Sequence, residues 1–253
     1  MVGVSGDSLL LGARDPNKPD SFSGFDIDLA RAVAKAIYGP GGENQVQFRV
    51  ITAAQRIPLV NAGSGDGGID MVARNMTMTC SRWKDVNFSA TYYVAEQRVL
   101  VPSTASAADP KNATKVPQIL GSEKARVCAP AGSTSIQRIA NDPRFNGIVP
   151  VEVDQHTTCL AMLQQNRVDA ITGDSTVLAG LAAQDTHVTV LDTSYGAEPY
   201  GLAVSKEHKE FAQFVNTVLK DYISSGQWQK SYDRWFQKAL GPATPPELKY
   251  GRP

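Results

Sequence analysis

The stretch SGFDIDLARAVAKAI, residues 23–37, sets the frame for reading the rest of the chain. Ile27, Ala30, Val33, Ala34 and Ile37 recur at the three- and four-residue spacing of one helical face. Asp26 and Asp28 fall in the first turn, where carboxylates meet the positive end of the helix. Gly39-Pro40-Gly41-Gly42 stops it. Upstream, Val2 to Ser5 reads as a short apolar strand that ends in a loop-like Gly6-Asp7-Ser8. Downstream, Val46, Phe48 and Val50 alternate with polar residues and predict a second strand. Gln55 to Ala62 predicts a short helix with Pro58 in its first turn, and Ile69 to Ala73 a third strand.

The same grammar returns later. Ala125–Ala129 is a strand, and Gly132-Ser133-Thr134-Ser135 opens a helix. Val149–Val153 is a strand, Thr158–Gln165 a helix, and Ala170–Thr172 a strand running to Gly173-Asp174. Two such series predict an α/β fold, with a mainly parallel sheet flanked by helices in each half. Thr104 to Pro117, rich in Ala, Ser, Asp and Lys, separates the halves and reads as a solvated surface loop. Near the end, Phe211, Phe214, Val215, Val218, Leu219 and Tyr222 share one helical face. Gly226 breaks the run, and Trp228, Tyr232, Trp235 and Phe236 form a second amphipathic helix, whose aromatic stripe reads as core. The proline-rich tail from Gly241 is expected to be loose.

Composition narrows the function. Lys plus Arg and Asp plus Glu both number 25 in 253 residues, so the formal net charge is zero. A neutral chain without a long basic run is a poor nucleic-acid binder or polybasic membrane binder. No apolar stretch is long enough to span a bilayer. The N-terminus enters an apolar strand directly, so an exported form is expected to begin after a cleavage site. Three cysteines and three scattered histidines fit no metal pattern, and no cofactor motif is present. The cysteines allow one disulfide plus a free thiol, or three separate buried thiols.

Three segments stand out in order. They are Ser23-Gly24-Phe25-Asp26-Ile27-Asp28-Leu29-Ala30; then Asn75-Met76-Thr77-Met78-Thr79-Cys80-Ser81-Arg82 with Val86-Asn87-Phe88-Ser89 and Tyr92-Tyr93; then Arg167-Val168-Asp169-Ala170-Ile171 running to Asp174, with Pro199-Tyr200-Gly201-Leu202-Ala203-Val204. This set resembles family 3 of the bacterial solute-binding proteins, the polar amino-acid receptors of ABC importers. Ala54-Gln55-Arg56 and the Gly6-Asp7 loop look like the actinobacterial glutamate/glutamine-binding lipoproteins. The resemblance implies a two-lobed periplasmic-binding-protein clamshell of type II. Lobe 1 is expected from 1–91 and 201–253, lobe 2 from 97–195, with hinges at 92–96 and 196–200. It also implies an extracytoplasmic monomer, secreted or lipid-anchored, that serves a membrane permease and catalyses nothing.

A free amino acid presents a carboxylate, an ammonium and a side chain, each needing a complementary group once water leaves. The resemblance assigns Arg82 to the α-carboxylate, because a guanidinium pairs both oxygens. Thr77 and a backbone N–H near Asn75 assist; the family often has Gly at the position of Asn75. Asp174 falls at the acidic position that takes the ammonium, although an aspartate before a helix also reads as an N-cap. Ser133 and Thr134 lie in a turn at a helix start, where N–H groups attract anions. Arg98, just past the first hinge, is the candidate that would favour glutamate or aspartate over glutamine or asparagine, with Arg56 or Arg14 able to serve instead. Asp7 and Gln55 are further polar candidates, and Tyr93 or Tyr200 an aromatic cover. Within the second lobe, Cys128 ends one strand and Cys159 begins the helix after the next, so a Cys128–Cys159 disulfide with Cys80 free is expected. Two rival readings use the same scaffold: an enzyme like cyclohexadienyl dehydratase, and the ligand-binding module of a receptor.

Overall fold

Strands and helices alternate from the first residues onward in a computed structural model that describes residues 1–105 and 124–250. The chain divides into two compact units, Met1–Val94 with Glu198–Pro253, and Ala95–Ala197. From residue 106 on, the loop expected at 104–117 lies outside the described residues.

In chain order the first unit opens with β1 (Val2–Val4), β2 (Asp7–Ser8), β3 (Gly12–Asp15), β4 (Lys18–Ser23) and α1 (Phe25–Tyr38). It continues with β5 (Phe48–Val50), α2 (Arg56–Ala62), β6 (Met71–Val72), α3 (Arg82–Asp85) and β7 (Val86–Phe88). The chain then runs through β8 (Tyr93–Pro102), β9 (Arg126–Pro130), α4 (Thr134–Asn141), β10 (Val149–Val153) and α5 (His156–Gln164). Next come β11 (Ala170–Asp174), α6 (Ser175–Ala182) and β12 (Val188–Val190). Last are β13 (Ala197–Tyr200), β14 (Ala203–Ser205), α7 (Lys209–Ser224), α8 (Gln227–Trp235) and α9 (Gln237–Leu240).

The main sheet of the first unit has the order β5-β1-β6-β14-β7. Both β1 pairings are parallel, whereas β14 runs antiparallel to β6 and β7. The second unit repeats the plan in the order β10-β9-β11-β8-β12, with β8 antiparallel to β11 and β12. The sheets are therefore mixed, with one reversed strand along each of these paths, and β13 pairs with β8 beside the second. The βαβ grammar of the sequence produces the parallel pairings. β8 and β14 are not delivered by such a crossover, which leaves their direction free.

The central strands β8, β9 and β11 of the second sheet are buried on both faces. Val99, Val101, Val127, Ala129 and Ala170 pack on one side with Ile136, Ile139 and Phe145. Leu100, Cys128 and Ile171 pack on the other with Cys159, Leu160 and Leu178. Alternate residues of one strand thus serve two cores, which is why these strands read as unbroken apolar runs. Cys128 and Cys159 form a disulfide, with Cα atoms 5.6 Å apart, and Cys80 is free and exposed.

In the first unit, Phe25 packs against Tyr92, Trp228 and Phe236, so the aromatic stripe of the C-terminal helices is core. Asp28 accepts from Ser231 and Trp235, each at 2.7 Å, fastening α8 to α1. Gly24 has φ 137°, and a Cβ there would run into the Leu11 carbonyl, so the entry to α1 requires glycine. Gly226, in a left-handed conformation, breaks α7 from α8 as expected.

One element is a correction to the sequence reading. The segment Gly6-Asp7-Ser8 is not simply a loop, because Asp7–Ser8 belongs to a small antiparallel sheet in the order β2-β3-β4. Its strands are short and β4 is mostly exposed, so no apolar alternation marks them.

Candidate functional site

The first unit concentrates polar groups where the chain leaves β6. Between β6 and Thr77 the chain bends at Arg74, and Asn75 takes φ 34°, a left-handed value that asparagine tolerates better than most non-glycine residues. Its amide N–H donates to Asp26 Oδ2 at 2.8 Å, and the Tyr92 hydroxyl donates to Asp26 Oδ1 at 2.7 Å. Burial pushes the Asp26 carboxyl up to about 6, against the opposing effects of Tyr92, Asn75 and Arg74. Asp26 is thus more than a first-turn charge on α1: it anchors the turn and the residue two places before the unit boundary.

Arg56, at the start of α2, is buried with its guanidinium against backbone. Nε donates to Ala53 O at 2.9 Å, and Nη1 donates to the carbonyls of Arg74 at 3.2 Å and Asn75 at 3.4 Å. It holds the carbonyls of the segment whose Asn75 amide Asp26 holds. Arg82 opens α3, is 7% exposed, and donates from Nη1 to Thr77 O at 2.8 Å. Thr77 forms an isolated bridge with Tyr200, whose ring lies 5.9 Å from those of both Tyr92 and Tyr93. Asn75, Thr77, Arg82, Arg56 and Tyr200 are therefore brought together. Asp7 is half-buried and accepts from the Ser5 hydroxyl at 2.7 Å. Gln55 caps the backbone N–H of Thr52, and Arg14 reaches the Pro19 carbonyl; both are engaged locally.

In the second unit, Asp174 ends β11 and is 5% exposed. It occupies the N-cap position of α6, yet its side chain makes no capping bond, so the carboxylate is not accounted for by helix capping. Ser133 does cap: its hydroxyl accepts from Ile136 N at 3.2 Å and donates to Pro130 O at 2.6 Å. That commitment leaves the N–H end of α4, starting at Thr134, as the part of this turn suited to an anion.

Arg98 lies on β8 opposite Gly173. Its Nη2 and Nε donate to Glu96 Oε2 at 2.6 and 3.0 Å, and Nη1 stands 3.7 Å from Asp192. Two carboxylates already match its charge, which weakens its suitability as a reader of a ligand anion. A buried chain that sequence reasoning missed runs beside it. Ser135 Oγ donates to Gln97 Oε1 at 3.1 Å, Gln97 Nε2 donates to Thr172 Oγ1 at 2.7 Å, and Thr172 Oγ1 donates to Arg98 O at 3.0 Å. It locks α4, β8 and β11 together, and Gln97 is the register partner of Asp174. No cluster of His, Cys, Asp or Glu among the described residues has the makings of a metal site. No described helix is long and apolar enough to cross a membrane.

Comparison with known proteins places this geometry in a family. Residues 1–238 match the model of the bacterial extracellular solute-binding proteins, family 3. The glutamine-binding protein GlnH of an ABC transporter in Bacillus subtilis is 31% identical over 94% of this chain and 81% of its own length. The glutamate-binding protein GluB of Corynebacterium efficiens is 28% identical over 90% of this chain and 76% of its own. Among solved structures, a solute receptor for L-cysteine from Neisseria gonorrhoeae has a TM-score of 0.81 at 23% identity, covering 95% of this chain and 90% of its own. An ancestral amino acid-binding protein, a precursor of cyclohexadienyl dehydratase, has a TM-score of 0.74 at 28% identity, covering 93% and 94%. The fold is that of the two-lobed type II periplasmic binding proteins.

Proposed function

We propose that this chain, which belongs to family 3 of the bacterial extracellular solute-binding proteins, captures a free L-amino acid with an acidic or amide side chain for an ABC importer. Glutamate is the first choice, then aspartate, glutamine and asparagine. The observation that carries this reading is the pair Arg82 and Asp174. Each is buried, Arg82 at the start of α3 and Asp174 at the end of β11, and they belong to different units. Arg82 takes the α-carboxylate, helped by Thr77 and the Asn75 turn, with Ser133 and Thr134 presenting the N–H end of α4. Asp174 takes the ammonium, and Tyr200 backs the turn at Thr77. A zwitterion satisfies both charges only when both units engage it, so binding favours a closed arrangement through differential affinity. The loaded protein, a monomer outside the cytoplasm that is secreted or lipid-anchored, then hands its ligand to a membrane permease.

A thermal-shift screen of the twenty amino acids tests the reading. A ligand at about 100 times its Kd stabilises by roughly 2.7 kcal/mol. Glutamate is expected to give the largest shift. A shift with a basic or apolar amino acid and none with glutamate overturns the ligand; no shift with any of the twenty overturns the function.

Similarity to the precursor of cyclohexadienyl dehydratase favours one other reading, catalysis on the same scaffold. Such chemistry needs a placed acid or base. Turnover of prephenate or arogenate by the purified protein decides for it.

A further inference from the structure

Along β8, Ala95, Gln97, Val99 and Val101 share one face, all four are buried, and only Gln97 is polar. Val99 and Val101 pack with Ile136 and Ile139 of α4, so an apolar residue at 97 would simply continue that core. A buried amide in that place is costly unless both its ends are bonded. Both are: Oε1 accepts from Ser135 Oγ at 3.1 Å, and Nε2 donates to Thr172 Oγ1 at 2.7 Å. Thr172 Oγ1 in turn donates to Arg98 O at 3.0 Å. A satisfied polar chain inside a core specifies one arrangement of the elements it joins.

Those elements carry the ligand-facing groups proposed for the second unit. Ser135 lies in the first turn of α4, next to Thr134. Thr172 lies on β11 two residues before Asp174, and Gln97 is the register partner of Asp174. The backbone of Gln97 makes a further connection: its N–H donates to Gly196 O, and its C=O accepts from Tyr195 N, both at 2.8 Å. Tyr195 O also accepts from Arg138 of α4 and from Arg144, at 2.8 and 2.6 Å. The chain enters the second unit at Ala95 and leaves it at Ala197. Gln97 therefore ties the N-terminal turn of α4 and the end of β11 to the segments where the chain enters and leaves.

We propose that Gln97 is a positioning residue for ligand capture: through Ser135 and Thr172 it sets the spacing between the N–H end of α4 and the carboxylate of Asp174. This rests on the proposed amino-acid-binding function, in which those two groups take opposite charges of one zwitterion, and adds the side chain that fixes their spacing. Gln97 acts through them and needs no contact with the ligand. Groups held at the right spacing beforehand need not be ordered at the cost of binding energy. The spacing matters only while both groups are present, which separates this role from a contribution to stability.

A triple variant, Gln97→Met/Ser135→Ala/Thr172→Val, replaces the polar chain by apolar side chains of similar size. Removing hydrogen-bonding partners together is close to neutral for stability, so its urea midpoint without ligand is expected to stay near that of the unaltered protein. Affinity is read by titration calorimetry with L-glutamate, L-aspartate, L-glutamine and L-asparagine, which share the same α-groups. The triple variant is expected to bind the tightest of the four about 10-fold or more weakly than the unaltered protein, as loss of a supporting shell does at metal sites. With Asp174→Ala already in place, the same change is expected to cost less than about 3-fold. Ser135→Ala and Thr172→Val, each cutting one arm, carry the same comparison if the triple variant does not fold, with single losses of about 3- to 10-fold that shrink beside Asp174→Ala. Unchanged affinity in the folded variants gives the chain a purely structural role and overturns the proposal while amino-acid binding stands. Equal losses with and without Asp174 also overturn it, because Gln97 then does not act through the spacing. Binding of none of the four by the unaltered protein removes the proposed function, and this proposal with it.

Discussion

At the scale of single residues, Asp26 combines two roles that the sequence shows only in part. Its place in the first turn of α1 is legible from the pattern, but its partners Tyr92 and Asn75 lie 66 and 49 residues away. Long-range bonds of this kind leave no periodic trace. The same holds for Arg56 and Arg74. The sequence offers Arg56 as one of several cations for a ligand; that it also donates to three backbone carbonyls has no sequence signal. Arg74 carried no signal beyond its place after a strand. Asp26 yields a pH prediction. Its carboxyl is raised from 3.8 to about 6, chiefly by burial, so the folded protein holds a proton that the unfolded chain releases. Its contribution to stability is fully present below about pH 4 and is lost as pH rises through about 6. The full shift corresponds to about 3 kcal/mol. Asp26→Asn removes that dependence. The stability of the variant minus that of the unaltered protein should rise by up to this amount between pH 4 and 7, measured by urea unfolding at each pH. Curves that run parallel across that window would show that Asp26 stays ionised in the folded state.

At the scale of elements, most of the alternation was legible, because strand–helix–strand units carry both the two-residue and the 3.6-residue period. The small β2-β3-β4 sheet was not, since Lys18–Ser23 buries only Phe22 and contains Pro19. The reversed strands β8 and β14 were not legible either: strand direction depends on how the chain arrives, not on the composition of the strand. The disulfide was within reach of sequence reasoning once β9, β10 and α5 were placed. Cys128 lies on the face of β9 that packs against α5, where Cys159 sits in the same apolar cluster. It closes a loop of about 30 residues, for which chain entropy gives on the order of 3 kcal/mol. A Cys128→Ala/Cys159→Ala double variant should therefore unfold at lower denaturant concentration by about that free energy. A thiol count on the unfolded, unreduced protein should give one reactive group, from Cys80, and three after reduction. Three before reduction would remove the crosslink and its stabilisation together.

At the scale of the whole molecule, the division into two units gives the proposed binding mode a thermodynamic signature. If Arg82 and Asp174 hold opposite ends of one zwitterion, neither contact is complete without the other. Arg82→Ala removes the carboxylate partner, and the ligand then has little to gain from engaging the second unit through its ammonium. Asp174→Ala removes the ammonium partner with the converse result. Each single variant should weaken glutamate binding by about 2–4 kcal/mol, roughly 30- to 1,000-fold, as truncation of a buried charge partner does. The double variant should lose much less than the sum of the two, because each single change already forfeits much of what the other would remove. A double-mutant cycle by calorimetry reads this directly, and the expected coupling lies at the upper end of the 0.5–3 kcal/mol range for residues acting on a shared partner. Strict additivity would mean that the two residues act on the ligand independently, or that one of them does not touch it. Either outcome would separate the family's amino-acid binding from the two-ended clamp proposed for this chain. The cycle distinguishes them because an untouched residue also gives a single variant with unchanged affinity.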